Sequence, residues 1–166
     1  MEVKPVELPE ALIGYKLRRN GLKLATAESC TGGLIAHRLT NIPGSSDYFL
    51  GGVVAYAYEA KVAVLGVSWD TLKAHGAVSR EVVLEMARGA RRILSADLAV
   101  SVSGIAGPGG GLPQKPVGTT WIGMVTPAGE WAQHFRFDGD REGNKTSAAD
   151  AALQIVLDYL EGKLKA

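Results

Sequence analysis

The sequence contains very little cysteine and no long apolar run. Cys30 is the one cysteine in 166 residues, which excludes an internal disulfide and is typical of a reducing compartment. No stretch approaches the roughly 20 consecutive apolar residues that a membrane helix requires. Residues 1–5 also lack the apolar core of a secretory signal. We therefore expect a cytoplasmic protein that has no membrane partner.

An excess of charge of one sign is also lacking. Lysine plus arginine number 18 and aspartate plus glutamate number 17, whereas nucleic-acid-binding proteins usually show a clear basic excess or patch. The three histidines, His37, His75 and His134, are scattered without the spacing of metal ligands. We therefore expect no nucleic-acid partner, no metal and no cofactor.

What is present is the composition of a single folded α/β domain over residues 1–166. Apolar residues make up 46% and charged residues 21% of the chain, as in ordinary globular proteins. Helical and extended patterns alternate through the first two-thirds, which favours a three-layer α/β/α sandwich with a parallel or mixed sheet. The periodicity predicts helices over 8–19, 31–41, 59–65, 68–76, 79–93 and 141–161, and strands over 22–27, 52–56, 98–103, 119–125 and 131–137.

Polar residues mark the starts of three of these helices. Ser68, Ser79 and Asp140 are predicted N-caps. In the helix after Ser79, apolar residues recur at helical spacing and predict one buried face, formed by Val82, Val83, Met86, Ala90 and Ile93. The segment Pro127-Ala128-Gly129 separates the last two strands and predicts an antiparallel hairpin at one edge of the sheet.

The segment Ser29-Cys30-Thr31-Gly32-Gly33 lies where a predicted strand ends and a helix begins. Ligands of open α/β sheets bind at this edge, and the free N–H groups at a helix start stabilise an anion. Paired glycines allow a ligand or a second backbone to approach closely. The structural alternative is that Ser29 only caps the helix while the glycines allow tight packing.

Two side chains of this segment are candidate nucleophiles. Cys30 would attack as a thiolate if the helix start lowered its pKa, although a lone cysteine in such a place is more often a small buried hydrophobe. Ser29 needs a base, and no histidine is placed for that role. Lys61 is the candidate base, because burial disfavours a charged ammonium. Tyr56 would hydrogen-bond the serine or the lysine. The alternative is a solvated lysine beside a packed tyrosine.

A third segment, Ser103 to Gly111, also follows a predicted buried strand. Its glycines offer backbone N–H groups to a phosphate or an oxyanion. It lacks the Gly-Lys-Ser/Thr of a P-loop, and no helix follows it directly as in the dinucleotide fingerprint. We expect a ligand-binding loop at the same sheet edge, the alternative being a plain flexible loop.

Together these segments resemble the CinA C-terminal domain family over roughly residues 8–160. The resemblance rests on six stretches in the same order: Thr26-Ala27-Glu28-Ser29-Cys30-Thr31-Gly32-Gly33, Gly52 to Tyr56 with Glu59-Ala60-Lys61, His75-Gly76-Ala77-Val78-Ser79, Ser103-Gly104-Ile105-Ala106-Gly107-Pro108, Lys115-Pro116-Val117-Gly118-Thr119 and Gly139-Asp140-Arg141. It implies an α/β/α amidohydrolase that removes ammonia from the carboxamide of nicotinamide mononucleotide, leaving nicotinic acid mononucleotide. It also implies a homodimer with its sites near the subunit interface.

The resemblance assigns roles to individual residues. Carried over by position, the family's catalytic residues fall on Ser29, Lys61 and Tyr56. We assign substrate binding to residues of the two loops and of the last helix, namely Glu28, Thr31, Gly32, Gly33, Gly104, Ile105, Ala106, Gly107 and Arg141. The chain departs from the family's pattern at Asn144-Lys145-Thr146, where many relatives carry an arginine pair.

The resulting hypothesis is acyl transfer through a covalent intermediate. Neutral Lys61 takes the proton of Ser29, the serine attacks the carboxamide carbon, and N–H groups at the helix start hold the oxyanion. The Gly104–Gly111 loop, with Arg141, would hold the phosphoribosyl part. Two other functions compete with this one: a non-catalytic nucleotide-binding or interaction module of the CinA type, and an amidase that acts on another small amide.

Overall fold

A computed structural model describes residues 8–164 of the chain. Within this range six α-helices flank a five-stranded mixed sheet, so the predicted α/β fold is confirmed. The helices are α1 (Pro9–Asn20), α2 (Leu34–Thr40), α3 (Tyr58–Leu65), α4 (Trp69–His75), α5 (Arg80–Leu94) and α6 (Arg141–Leu160). The strands are β1 (Leu24–Glu28), β2 (Phe49–Val54), β3 (Leu98–Gly104), β4 (Thr119–Thr126) and β5 (Gly129–Arg136). Over these residues no helix has both the length and the apolar character needed to cross a membrane.

The strand order of the sheet is β2-β1-β3-β4-β5. The central strand β1 runs parallel to both of its neighbours, with Ala27 beside Val53 of β2 and Ser101 of β3. The last two strands form an antiparallel hairpin in which Thr126 lies opposite Gly129, as the sequence predicts. Because the first three strands are parallel, their carboxyl ends meet at one edge of the sheet.

Side chains of the central strands alternate between two apolar clusters, one on each face of the sheet. On β3, Leu98, Val100 and Val102 belong to the cluster that includes residues of α1, α2 and α6. Ala99 belongs to the opposite cluster, which includes residues of α3, α4 and α5. This period of two is typical of a strand buried on both faces, which explains why the whole segment is apolar.

The predicted helix starts agree with the structure at all three caps. Ser68, Ser79 and Asp140 each accept a hydrogen bond from a backbone N–H in the first turn of α4, α5 and α6 respectively. The predicted buried face of α5 is correct except at Ile93, which is 45% exposed. Ala90 is the last buried residue of α5, and the helix extends about one turn beyond it. The apolar spacing therefore continues to Ile93, where the helix is no longer buried.

Two predicted starts are displaced by three residues in the structure, those of α2 and β2. The helix expected from residue 31 begins at Leu34, because Gly32 and Gly33 have φ angles of +61° and +103° and form a left-handed turn before it. The strand expected over 52–56 covers 49–54. Tyr56 therefore lies beyond the strand, in the connection to α3.

The helix α3 packs against α5 at Gly89. A Cβ built at this position would lie only 2.8 Å from the carbonyl carbon of Leu65, the last residue of α3. Only a hydrogen atom fits between the two backbones. The close approach therefore fixes the position of α3, the helix that carries Lys61.

We expect Gly89→Ala to destabilise the protein by about 1–3 kcal/mol, the usual cost of overpacking a filled core. In an unobstructed helix the same change would stabilise by about 1 kcal/mol, because alanine is the better helix former. Urea unfolding curves measure the difference. Gly109→Ala is the matched control, since nothing lies within 4 Å of a Cβ there. An unchanged or raised unfolding free energy for Gly89→Ala would show that the two helices are free to move apart.

Candidate active site

The three predicted loops meet at one edge of the sheet. Glu28, the last residue of β1, pairs with Val54 of β2 and with Val102 of β3. The segments that follow these positions carry Ser29, Lys61 and the glycine-rich loop. The sheet edge predicted from the sequence therefore brings these segments together.

Ser29 and Lys61 form a buried hydrogen-bonded pair. Lys61 Nζ lies 2.9 Å from Ser29 Oγ. Lys61 is 1% exposed and Ser29 is 7% exposed. The same nitrogen lies 2.8 Å from the carbonyl oxygen of Ala55 and 2.9 Å from that of Tyr56. The alternative of a solvated lysine is therefore wrong.

The three contacts of Lys61 orient its lone pair. A carbonyl oxygen can only accept a hydrogen bond, whereas a hydroxyl can donate or accept. A neutral amine has two N–H groups and one lone pair. When Lys61 is neutral, its N–H groups satisfy the carbonyls of Ala55 and Tyr56, and the lone pair accepts the hydroxyl hydrogen of Ser29. This is the arrangement that a general base requires.

The surroundings of Lys61 favour that neutral form. Burial lowers the pKa of the Lys61 ammonium to about 8, from an ordinary value of 10.5. Over residues 8–164 no carboxylate forms an ion pair with it. A carboxylate would stabilise the ammonium and raise its pKa, so the absence of one keeps the amine available as a base near pH 8.

Glu28 organises the turn that presents Ser29. Its buried carboxylate accepts hydrogen bonds from the N–H groups of Ile35 and Ala36, at 2.9 and 3.1 Å, and from the hydroxyl of Thr31 at 2.6 Å. A negative charge at a helix start also interacts favourably with the helix dipole. Glu28 is therefore the side chain that satisfies the start of α2.

The structure of this turn differs from three interpretations of the sequence. Ser29 does not cap α2, because its hydroxyl contacts Lys61 and the start of the helix is bonded to Glu28. Two of the N–H groups expected to be free for an oxyanion are occupied. Glu28 and Thr31, which we assigned to substrate binding, bond to each other and do not line the cavity beside Ser29, nor do Gly32 and Gly33.

Cys30 is a poor nucleophile in this structure. Burial, the largest contribution, raises the pKa of its thiol to about 11, so the thiolate is scarce at neutral pH. The sulfur packs against Gly104, where an added Cβ would lie 3.1 Å from Sγ. Of the two candidate nucleophiles, the geometry favours Ser29.

The hydroxyl of Tyr56 bonds neither Ser29 nor Lys61, contrary to the expectation from the sequence. Its carbonyl oxygen contacts Lys61, but its hydroxyl accepts a hydrogen bond from Arg141 Nη2 at 3.0 Å, and the residue is 61% exposed. Arg141 Nη1 also donates to the carbonyl oxygen of Gly107 at 2.7 Å. Arg141 thus ties the connection after β2 to the glycine-rich loop.

The start of α6 fixes the same loop at a second point. Asn144 is buried, and its Nδ2 donates to the carbonyl oxygen of Ala106 at 3.0 Å. The departure from the family pattern at this residue therefore supplies a structural contact. Ala106 and Arg141 line a neighbouring cavity of about 520 Å³ at the start of α6.

A cavity of about 300 Å³ opens beside Ser29 and Lys61. Among the predicted binding residues, Gly104 and Ile105 line it. Sequence reasoning did not assign several other lining residues to the site, namely Tyr58, Gly76, Ala77, Val78 and Lys115. Tyr58 lies one helical turn before Lys61, a spacing that could have identified it. Lys115 lies in the long loop between β3 and β4, and the periodicity of a sequence does not predict the path of such a loop.

Metal-binding side chains do not gather at this site. Within residues 8–164 no three histidine, cysteine, aspartate or glutamate side chains are arranged to hold a metal ion. The chemistry available from the described side chains is that of a hydroxyl beside an amine. Such a pair supports nucleophilic attack on a carbonyl carbon.

Comparison with known proteins places this arrangement in a family. Residues 7–160 match the CinA C-terminal domain. A CinA-like protein of Chloroherpeton thalassium is 52% identical over 155 residues, which cover 91% of this chain and 37% of that protein. The chain spans only 35–39% of the length of the similar curated relatives.

Solved structures match over nearly their full length. The competence/damage inducible protein of Agrobacterium tumefaciens is 40% identical, with a TM-score of 0.87 over 97% of this chain and 99% of that chain. A CinA superfamily protein of Klebsiella pneumoniae is 35% identical, with a TM-score of 0.88 over 94% and 99% of the two chains. The chain therefore belongs to the CinA C-terminal domain family.

Proposed function

We propose that the protein is an amidohydrolase that converts nicotinamide mononucleotide to nicotinic acid mononucleotide and ammonia. The observation that carries this proposal is the buried contact of 2.9 Å between Lys61 Nζ and Ser29 Oγ. The CinA C-terminal family includes deamidases of this nucleotide, which supports the choice of substrate. A module that only bound a nucleotide would not need a desolvated lysine beside a serine hydroxyl.

The first chemical step is attack by Ser29 on the carboxamide carbon. Neutral Lys61 takes the hydroxyl proton as the bond from Oγ to the carbon forms, and the carbonyl oxygen becomes an oxyanion. The backbone N–H of Cys30, the residue directly after the nucleophile, donates to no other backbone group in the described chain. This N–H is the donor we assign to the oxyanion.

The second step releases ammonia and regenerates the enzyme. The protonated Lys61 gives its proton to the leaving nitrogen as the carbon–nitrogen bond breaks, which leaves an ester on Ser29 and a neutral amine. Water then attacks the ester as Lys61 takes one of its protons. When the bond between the acyl carbon and Ser29 Oγ breaks, Lys61 returns that proton to Oγ, and nicotinic acid mononucleotide leaves. Tyr56 acts through its carbonyl, which helps hold Lys61 in position.

Ser29→Ala is expected to lower the rate of ammonia release by at least about 10³-fold, because loss of a nucleophile removes the covalent pathway. Cys30→Ala is the matched control and should keep most of the activity, since the thiol is protonated at neutral pH. Ammonia release from nicotinamide mononucleotide, nicotinamide and simple amides measures both the rate and the substrate class. Binding of the mononucleotide without turnover by the wild-type protein would instead support a non-catalytic module.

The pH dependence of kcat/KM should report the neutral form of Lys61. Because the pKa of Lys61 is lowered to about 8, we expect the rate to fall about tenfold per pH unit below that value and to level off above it. Ammonia release measured from pH 6 to pH 9.5 gives the profile. Lys61→Arg should be inactive over the whole range, because a guanidinium does not lose its proton. A rate that increases toward acidic pH would exclude Lys61 as the base.

We also propose that two copies associate through the β2 edge of the sheet. The strand β2 is one of the two edge strands of the sheet, and its residues Leu50 and Val54 are exposed. Exposed apolar edge strands tend to pair with another chain. Tyr56 follows the same strand, so the site would lie close to such an interface.

In sedimentation experiments the wild-type protein should have twice the chain mass of 17.5 kDa. Val54→Glu should shift it toward the monomer, because a carboxylate is costly to bury at an interface. Tyr15→Glu, an exposed position on α1, is the control and should leave the mass unchanged. A monomeric wild-type protein would contradict the proposed assembly.

A further inference from the structure

The cavity beside Ser29 has a one-sided charge. Of the described residues that line it, two are lysines, Lys61 and Lys115, and none is an aspartate or a glutamate. Because Lys61 acts as a neutral amine, Lys115 supplies the positive charge of this lining. A cavity with a cationic group and no carboxylate favours an anionic ligand, because opposite charges attract strongly where water is partly excluded.

The two lysines differ in how many partners they already have. Lys61 Nζ contacts two carbonyl oxygens and the Ser29 hydroxyl, which uses all of its hydrogen-bonding positions. Lys115 Nζ donates to one acceptor, the carbonyl oxygen of His75, and forms no ion pair within residues 8–164. An ammonium has three N–H groups, so Lys115 keeps two of them for a ligand.

Arg141, the cation that the sequence suggested for the phosphate, is already engaged. Both of its terminal nitrogens donate within the protein, to Tyr56 and to Gly107. It lines the neighbouring cavity at the start of α6 and does not line the one beside Ser29. Of these three basic residues, Lys115 alone lines the Ser29 cavity and keeps N–H donors for a ligand.

A backbone donor accompanies Lys115 on the same loop. Gly110 lines the cavity, and its N–H donates to no other backbone group in the described chain. Its φ of +86° is a left-handed conformation that favours glycine. Backbone N–H groups with a nearby ammonium form a common binding site for phosphate oxygens.

We propose that Lys115, with the N–H of Gly110, binds the phosphate of the substrate and so makes the enzyme select a phosphorylated nucleotide over its nucleoside. This inference rests on the proposed function, because it takes the carboxamide to be held at Ser29. The contact between Lys115 and His75 joins the two loops on either side of the cavity, and the two other N–H groups of Lys115 are the donors for the phosphate.

The test compares nicotinamide mononucleotide with nicotinamide riboside, which lacks the phosphate. Lys115→Gln keeps a donor for the His75 carbonyl but removes the charge. Since hydrogen bonds to charged groups are the stronger ones, we expect a loss of about 10- to 100-fold in kcat/KM for the mononucleotide, mostly through KM. For the riboside we expect a change of less than about twofold. Lys115→Arg should restore much of the preference for the mononucleotide.

Lys73→Gln is the matched control, because it removes a lysine charge from an exposed position of α4, two residues before His75, that does not line the cavity. An equal loss on both substrates would show that Lys115 only holds the loops together, and no loss on either would show that the phosphate lies elsewhere. Both results would overturn the inference.

A binding measurement separates this inference from the proposed reaction. Calorimetric titration in the Ser29→Ala background reports affinity without turnover. Lys115→Gln should weaken binding of the mononucleotide about 10- to 100-fold and leave riboside binding unchanged. Absence of turnover by the wild-type protein would overturn the proposed reaction, whereas an unchanged affinity for the mononucleotide would overturn the role of Lys115.

Discussion

The structure depends on a buried lysine, Lys61, that has no carboxylate partner within residues 8–164. Taking an ammonium out of water is costly, and proteins usually offset the cost with an ion pair. Here the nitrogen of Lys61 has two carbonyl oxygens and the Ser29 hydroxyl as its partners. Neutral and charged forms are both satisfied by these groups, so the balance between them is set mainly by burial. A proton can then move between serine and lysine without any other side chain changing its partner.

The rest of the site holds that pair in position. Parallel strands bring the end of β1 beside the end of β2. Glu28 bonds the start of α2, so that the turn before this helix presents Ser29. The close packing at Gly89 fixes the helix that carries Lys61. Each of these contacts is made by backbone or by a buried polar group, which suits a site that must be rigid to within a fraction of an ångström. Glu28, the residue directly before Ser29, therefore stabilises the start of α2 and makes no hydrogen bond to Lys61.

Much of this arrangement could be predicted from the sequence, for physical reasons that differ by element. Caps at Ser68, Ser79 and Asp140 are local signals, and parallel strands place their ends at one edge whatever their side chains. The prediction that Ile93 is buried was wrong, because periodicity does not show where a helix extends beyond the sheet. The partners of Arg141 and the approach of Lys115 depend on loops whose paths are set by tertiary contacts, and such paths carry no periodic signal.

The choice of a lysine base also fits the charge of the proposed substrate. The pyridinium ring of nicotinamide mononucleotide is cationic and lies next to the carboxamide. Held beside Ser29, it would disfavour the ammonium form of Lys61 and lower the pKa of that group further, so that binding itself promotes loss of the proton. A carboxylate in the cavity would attract the same ring but would also stabilise the protonated lysine. A base whose described partners are two carbonyl oxygens and the Ser29 hydroxyl would avoid that conflict. The attraction needed for binding would then come from the phosphate at the other end of the molecule.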